Sequence, residues 1–116
     1  IKAMEKLQSL IPEHLFDMYC LTGIFMETSK KSRVSYIFRR LRPTVALRPG
    51  KDGESMRILC ALCLHPIGYY ENSWAGAMVP TDDVLAHLLL MRADEHYYWR
   101  KANQIPAHLP NAGIGG

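Results

Sequence analysis

The sequence predicts a mainly α-helical chain, a single compact domain of about five helices joined by irregular connections. Three observations lead there. Apolar residues recur at intervals of three and four in successive stretches, which places them on one face of a helix. The stretches are rich in good helix formers such as Leu, Met and Ala. Prolines stand at the borders of the stretches, where a missing N–H is harmless or a helix must stop.

A first helix is expected over residues 2–10. Pro12 and Glu13 open a second, in which Leu15, Phe16, Tyr19, Cys20, Ile24 and Phe25 share a face and which ends near Thr28, with Glu13 and Asp17 toward the positive end of its dipole. Ser32 caps a third, where Val34, Ile37, Phe38 and Leu41 recur at i, i+3, i+4 and i+7, and Pro43 stops it at Arg42. Residues 44–47 read as a short strand or an extended linker and Pro49-Gly50-Lys51-Asp52-Gly53 as a loop. A helix follows over 56–64, carried by Met56, Leu59, Ala61, Leu62 and Leu64; a short hairpin near residues 44–64 is the alternative. Residues 67–79, with Trp74, read as an irregular connection packed through its aromatics. The last helix starts at a Thr81 cap with Asp82 and Asp83 as dipole-compensating charges, and Arg100 and Lys101 balance its far end. Val84, Leu85, Leu88 and Leu89 cover an arc wide enough to be core, while residues 94–104 lie at the surface or an interface. Residues 1–105 thus form the domain, a piece of a larger protein, and the Pro/Gly-rich stretch 106–116 a flexible tail.

With 116 residues, 48% hydrophobic and 22% charged, the chain has the composition of an ordinary globular protein. No apolar run approaches the roughly 18 to 20 residues of a membrane span, so no membrane partner is expected. Three cysteines in apolar surroundings point to a reducing intracellular compartment, cytoplasmic or nuclear.

The charge is segregated. Nine of the fourteen basic residues, Lys30, Lys31, Arg33, Arg39, Arg40, Arg42, Arg48, Lys51 and Arg57, lie between positions 30 and 57 against only Asp52 and Glu54, a net +7, while the stretches before and after each carry −2. A local positive surface concentrates anionic partners where a uniform one does not. Arginines on a helix face beside a Gly/Pro loop would contact phosphates, and Tyr36 would stack on a base. The plainer reading is a solvated face that meets acidic patches of this chain or a neighbour.

Cys60-Ala61-Leu62-Cys63 with His65 has the gap of a zinc knuckle, but its flanks Ile58, Leu59 and Leu64 are apolar, which favours thiols that fill the core. A Cys20 nucleophile with His65 or His87 as base lacks a thiolate-stabilising setting. His87 and His96 are nine apart and form no metal pair. No cofactor, metal or small-molecule substrate is expected, and no catalysis. Tyr97, Tyr98 and Trp99 with His96 and Arg100 have the composition of interface hot spots, and Tyr97, Trp99 and Arg100 are the candidate partner surface for another protein or a second copy. Tyr98 and Trp99 closing the core against Trp74 is the competing reading.

The order Ser32-Arg33-Val34, Phe38, His65-Pro66, Trp74-Ala75-Gly76 and Pro80 before a Leu- and Tyr-rich helix faintly resembles that of short motifs in the nucleoproteins of segmented negative-strand viruses. The resemblance implies a helical protein that encapsidates RNA in a basic groove; it assigns no residue. The expected function is a non-catalytic module for binding RNA or another nucleic acid, or for assembly, built on the basic segment 30–57. The alternative is a protein–protein scaffold of a larger complex.

Overall fold

The structure, a computed structural model, describes residues 2–65 and 80–114. It overturns the mainly helical expectation: among the described residues four helices accompany a five-stranded antiparallel sheet, so the chain is mixed α and β. The order is α1 (Lys2–Leu10), α2 (Glu13–Thr22), β1 (Ile24–Thr28), β2 (Ser35–Arg39), β3 (Thr44–Pro49), β4 (Met56–Cys63), α3 (Pro80–Ala93), α4 (Glu95–Lys101) and β5 (Asn103–Ile105), then a 3₁₀ turn at Pro110–Ala112. The strands lie side by side in sequence order.

Two expected helices and the end of another give way to strands for identifiable reasons. α2 stops at Thr22 because Gly23 takes the left-handed conformation (φ +78°) and returns its N–H to the Tyr19 carbonyl at 2.7 Å. Ile24, Phe25 and Met26 then run extended. In the stretch expected as the third helix, the spacing of Val34, Ile37, Phe38 and Leu41 is helical, but Tyr36, Ile37 and Phe38 are strand formers. Both ends are closed by residues with positive φ, Arg33 at +66° and Leu41 at +63°. Pairing Phe25↔Phe38 and Tyr36↔Ala46 buries the aromatics on one face of the sheet. In the third case the helix-forming Met, Leu and Ala of residues 56–64 are overridden by neighbours on both sides: β4 pairs with β3 (Val45↔Ala61) and β5 (Ala61↔Ile105). β3 and β4 form a hairpin, the arrangement set aside for a helix.

Strand alternation divides the sheet. Phe25, Tyr36, Phe38, Ala46, Cys60 and Leu62 join the main core with Leu7, Tyr19, Val84, Leu88 and Tyr98 from the helices. Ala61, Cys63, Ile105 and Ala112 make a smaller core on the opposite face, beneath the C-terminal segment. The C-terminal stretch is tied down there by Arg39, which donates to the carbonyls of Ala112 (2.8 Å) and Gly113 (2.7 Å).

Near the C-terminus, the single long helix expected after Thr81 is broken at Asp94, whose side chain accepts from the Tyr97 N–H at 3.0 Å and caps α4. Thr81 does not project to solvent as a cap; its hydroxyl is buried against the Tyr19 hydroxyl at 2.9 Å. Val84, Leu85 and Leu88 are buried, whereas Leu89 is 39% exposed. Trp74 and the connection expected over 67–79 lie outside the described residues.

Candidate functional site

The β1–β2 connection is a tight turn closed by the Ser29 N–H on the Val34 carbonyl (2.8 Å) and the Arg33 N–H on the Ser29 carbonyl (3.0 Å). It is fastened to α4 through one carboxylate. Glu95 accepts from the hydroxyls of Ser29 (2.7 Å) and Ser32 (2.6 Å) and from Tyr36, whose oxygen in turn accepts from the Trp99 indole N–H at 2.7 Å. Burial works against ionisation of Glu95, but the hydrogen bonds from Ser32, Tyr36 and Ser29 outweigh it and hold the carboxyl below its usual range. The Tyr36 phenol is pushed well above its usual range by burial and by its bond to Glu95.

Between this turn and α4 opens a groove of about 1640 Å³. Lys30, Lys31, Arg48, Arg92 and Arg100 line it against three carboxylates, Glu27, Asp94 and Glu95. Each carboxylate is committed. Glu27 takes both oxygens to Arg92 (2.6 and 2.8 Å), Asp94 caps α4, and Glu95 holds the three hydroxyls. Trp99 forms part of the wall, His96 stands beside it, and Arg100 lies 5.6 Å over the ring of the 40%-exposed Tyr97.

The nine basic residues between positions 30 and 57 do not make one surface. Lys30, Lys31 and Arg33 sit in or beside the β1–β2 turn, and Arg48, Lys51 and Arg57 in the β3–β4 hairpin at the same end of the sheet. Arg48 and Arg57 are direct cross-strand partners, an opposition of like charge that is unfavourable by itself. Arg39, Arg40 and Arg42 fall at the opposite end, a strand's length away. There Arg39 is spent on the carbonyls of Pro43, Ala112 and Gly113. The helix expected from Ser32 to Arg42, and with it the arginine face beside the Gly/Pro loop, is replaced by β2. Of the candidate partner surface, Tyr97 and Arg100 are exposed, while Trp99 is half-buried and bonded to Tyr36.

A second polar cluster lies in the interior. His65 Nε2 is 2.6 Å from Asp83 Oδ1, and His87 Nδ1 is 2.6 Å from the Tyr98 hydroxyl and 3.2 Å from Thr44 Oγ1. His87 Nε2 stands 3.7 Å from the same Asp83 oxygen, too far for a hydrogen bond. Burial depresses the His87 pKa to about 4 despite the Asp83 charge, so the ring is neutral. Tyr98 is pushed far above its usual range, chiefly by burial. The cluster staples α3 to β3, to the end of β4 and to α4. Asp83 is therefore a buried partner of His65 and not a surface charge at the helix start. Its signal in the sequence was Asp83 and His87 four apart inside an apolar stripe, on the face shared with Val84 and Leu88.

The cysteines separate. Cys60 and Cys63, three apart on a strand, belong to the cores on opposite faces of the sheet, and Cys20 is exposed rather than on the apolar face of α2. Among the described residues no three metal-ligating side chains assemble. No family model, curated protein or solved structure matches the chain.

Proposed function

We propose that the protein is a non-catalytic nucleic-acid-binding module that takes a single strand, RNA in the first place, along the groove between the β1–β2 turn and α4. The observation that carries this reading is the charge inventory of the groove: once Arg92 is set against its partner Glu27, four cations, Lys30, Lys31, Arg48 and Arg100, face two carboxylates, Asp94 and Glu95, that accept hydrogen bonds within the protein. Lys30, Lys31, Arg48 and Arg100 supply phosphate contacts, with Arg33, Lys51 and Arg57 extending the positive end of the sheet. An anion seated near Arg48 and Arg57 would relieve their opposition. Trp99 and Tyr97 offer aromatic surface to bases, as single-strand binders require.

Assembly through protein contacts is the second reading, favoured by the sheet face away from the helices, where Ile24 (37%), Met26 (47%), Met56 (47%) and Ile58 (40%) are exposed.

The test is a fluorescence-anisotropy titration with labelled oligouridine. Lys30→Glu with Lys31→Glu weakens binding by roughly tenfold or more at low salt, because two phosphate contacts become repulsions. Arg40→Glu with Arg42→Glu, at the far end of the sheet, has little effect. Equal loss from both pairs would mean nonspecific attraction to net charge and would contradict a site in the groove.

A further inference from the structure

Glu95 is an oddity in a groove read as an anion site, since its carboxylate faces the same space as Lys30, Lys31 and Arg100. By charge alone it should oppose a phosphate backbone. Its bonding says otherwise. All three donors on it come from the hairpin that carries the lysines: Ser29 and Ser32 bracket Lys30 and Lys31 in the turn, and Tyr36 follows in β2. The Ser29 hydroxyl oxygen also accepts, weakly, from the N–H groups of Lys31 and Ser32 (both 3.3 Å), and the Ser32 hydroxyl oxygen accepts from the Val34 N–H at 3.1 Å. Each serine therefore passes the hold of Glu95 on to the backbone of the turn. Without that carboxylate, two serine hydroxyls and a phenol at the foot of the turn lose their common acceptor, while the Trp99–Tyr36 bond ties β2, and not the turn itself, to α4.

We infer that Glu95 is a positioning residue: it fixes the Lys30–Lys31 turn against α4 in the geometry that meets the nucleic-acid backbone, and so strengthens the binding of an anion although it is itself an anion. The inference rests on the proposed function of the groove. It also predicts a sign opposite to electrostatics. Simple charge removal predicts that Glu95→Ala binds a single strand more tightly; a positioning role predicts weaker binding.

The experiment compares wild type, Glu95→Ala and the near-isosteric Glu95→Gln for labelled oligouridine, with hydrogen exchange of the backbone amides alongside. The expected result is affinity lower by roughly fivefold or more in Glu95→Ala, with a salt dependence shallower by about 1.4 in the log–log slope as two phosphate contacts are lost. Amide exchange at Arg33 and Val34 accelerates while that of Leu88 in α3 is unchanged, which separates a loosened turn from a weakened fold. Glu95→Gln, which keeps an acceptor oxygen, lies between the two and is read in place of Glu95→Ala should that variant unfold. A Glu95 variant that binds as tightly as wild type or more tightly overturns the inference and leaves the groove reading standing. A wild-type protein that does not bind oligouridine overturns both.

Discussion

Lowering the pH from 7.5 to 5 should destabilise the protein through His87. The imidazole is enclosed by Thr44, Asp83 and Tyr98 with His65 beyond, and burial holds its pKa at about 4 against an ordinary 6.5. The unfolded chain takes up a proton as the pH falls through 6.5, and the folded chain does not. The unfolded state then binds more protons, so stability falls with pH until the native ring also protonates near 4. At about 1.4 kcal/mol per pH unit the full effect is about 3 kcal/mol, of which about 2 kcal/mol is spent by pH 5. The depressed carboxyl of Glu95 adds to the loss only below the usual carboxylate range, outside the window from 6.5 to 5 in which His87 acts. The assay is urea unfolding at several pH values, for wild type and for His87→Phe, which keeps a ring and cannot titrate. The variant is less stable at pH 7.5, because the Tyr98 and Thr44 hydroxyls lose a partner. Between pH 7.5 and 5 it should lose about 2 kcal/mol less than wild type does. Parallel losses in the two proteins would refute a neutral, buried His87.

Three further outcomes follow from the same structure. Arg39→Glu removes the donors to Pro43, Ala112 and Gly113, so it should release the C-terminal segment to limited proteolysis and lower the thermal midpoint, whatever it does to binding. Leu88→Ala, at a fully buried position of α3, should cost about 2 to 5 kcal/mol in chemical denaturation, whereas Leu89→Ala, at an exposed one, should cost well under that. In the native protein a thiol reagent should label Cys20 quickly and Cys60 and Cys63 only after unfolding, since the latter two are buried and burial raises the Cys60 pKa.

The helical parts were legible where local signals were complete. Residues 2–10 and the start of α2 at Glu13 follow from spacing and from Pro12, and α3 from its acidic first turn. The strands were hidden because their evidence is pairing, which a local pattern does not contain. Val34, Ile37, Phe38 and Leu41 satisfy a helical spacing by coincidence, and only the Phe25↔Phe38 and Tyr36↔Ala46 partners show why the chain runs extended. The same error misplaced the charges. On a helix Arg33 and Arg40, seven apart, would share a face with Arg39 nearby, but on a hairpin Arg33 stands at the opposite end from the other two, so the basic segment was visible in the sequence and its division was not. The role of Glu95, and that of His87 beyond a candidate base or metal ligand, was hidden because their partners are 59 to 66 and 11 to 43 residues away in the chain.

A phosphate-binding groove at the Lys30–Lys31 end of the sheet makes oligouridine binding depend on salt. Three or four phosphate contacts from Lys30, Lys31, Arg48 and Arg100 predict that log K falls against log salt with a slope of about −2 to −3, at about −0.7 per contact for a single strand. Lys30→Glu with Lys31→Glu should flatten that slope. No binding at low salt, or binding indifferent to salt and to those two lysines, would rule out phosphate contacts in the groove.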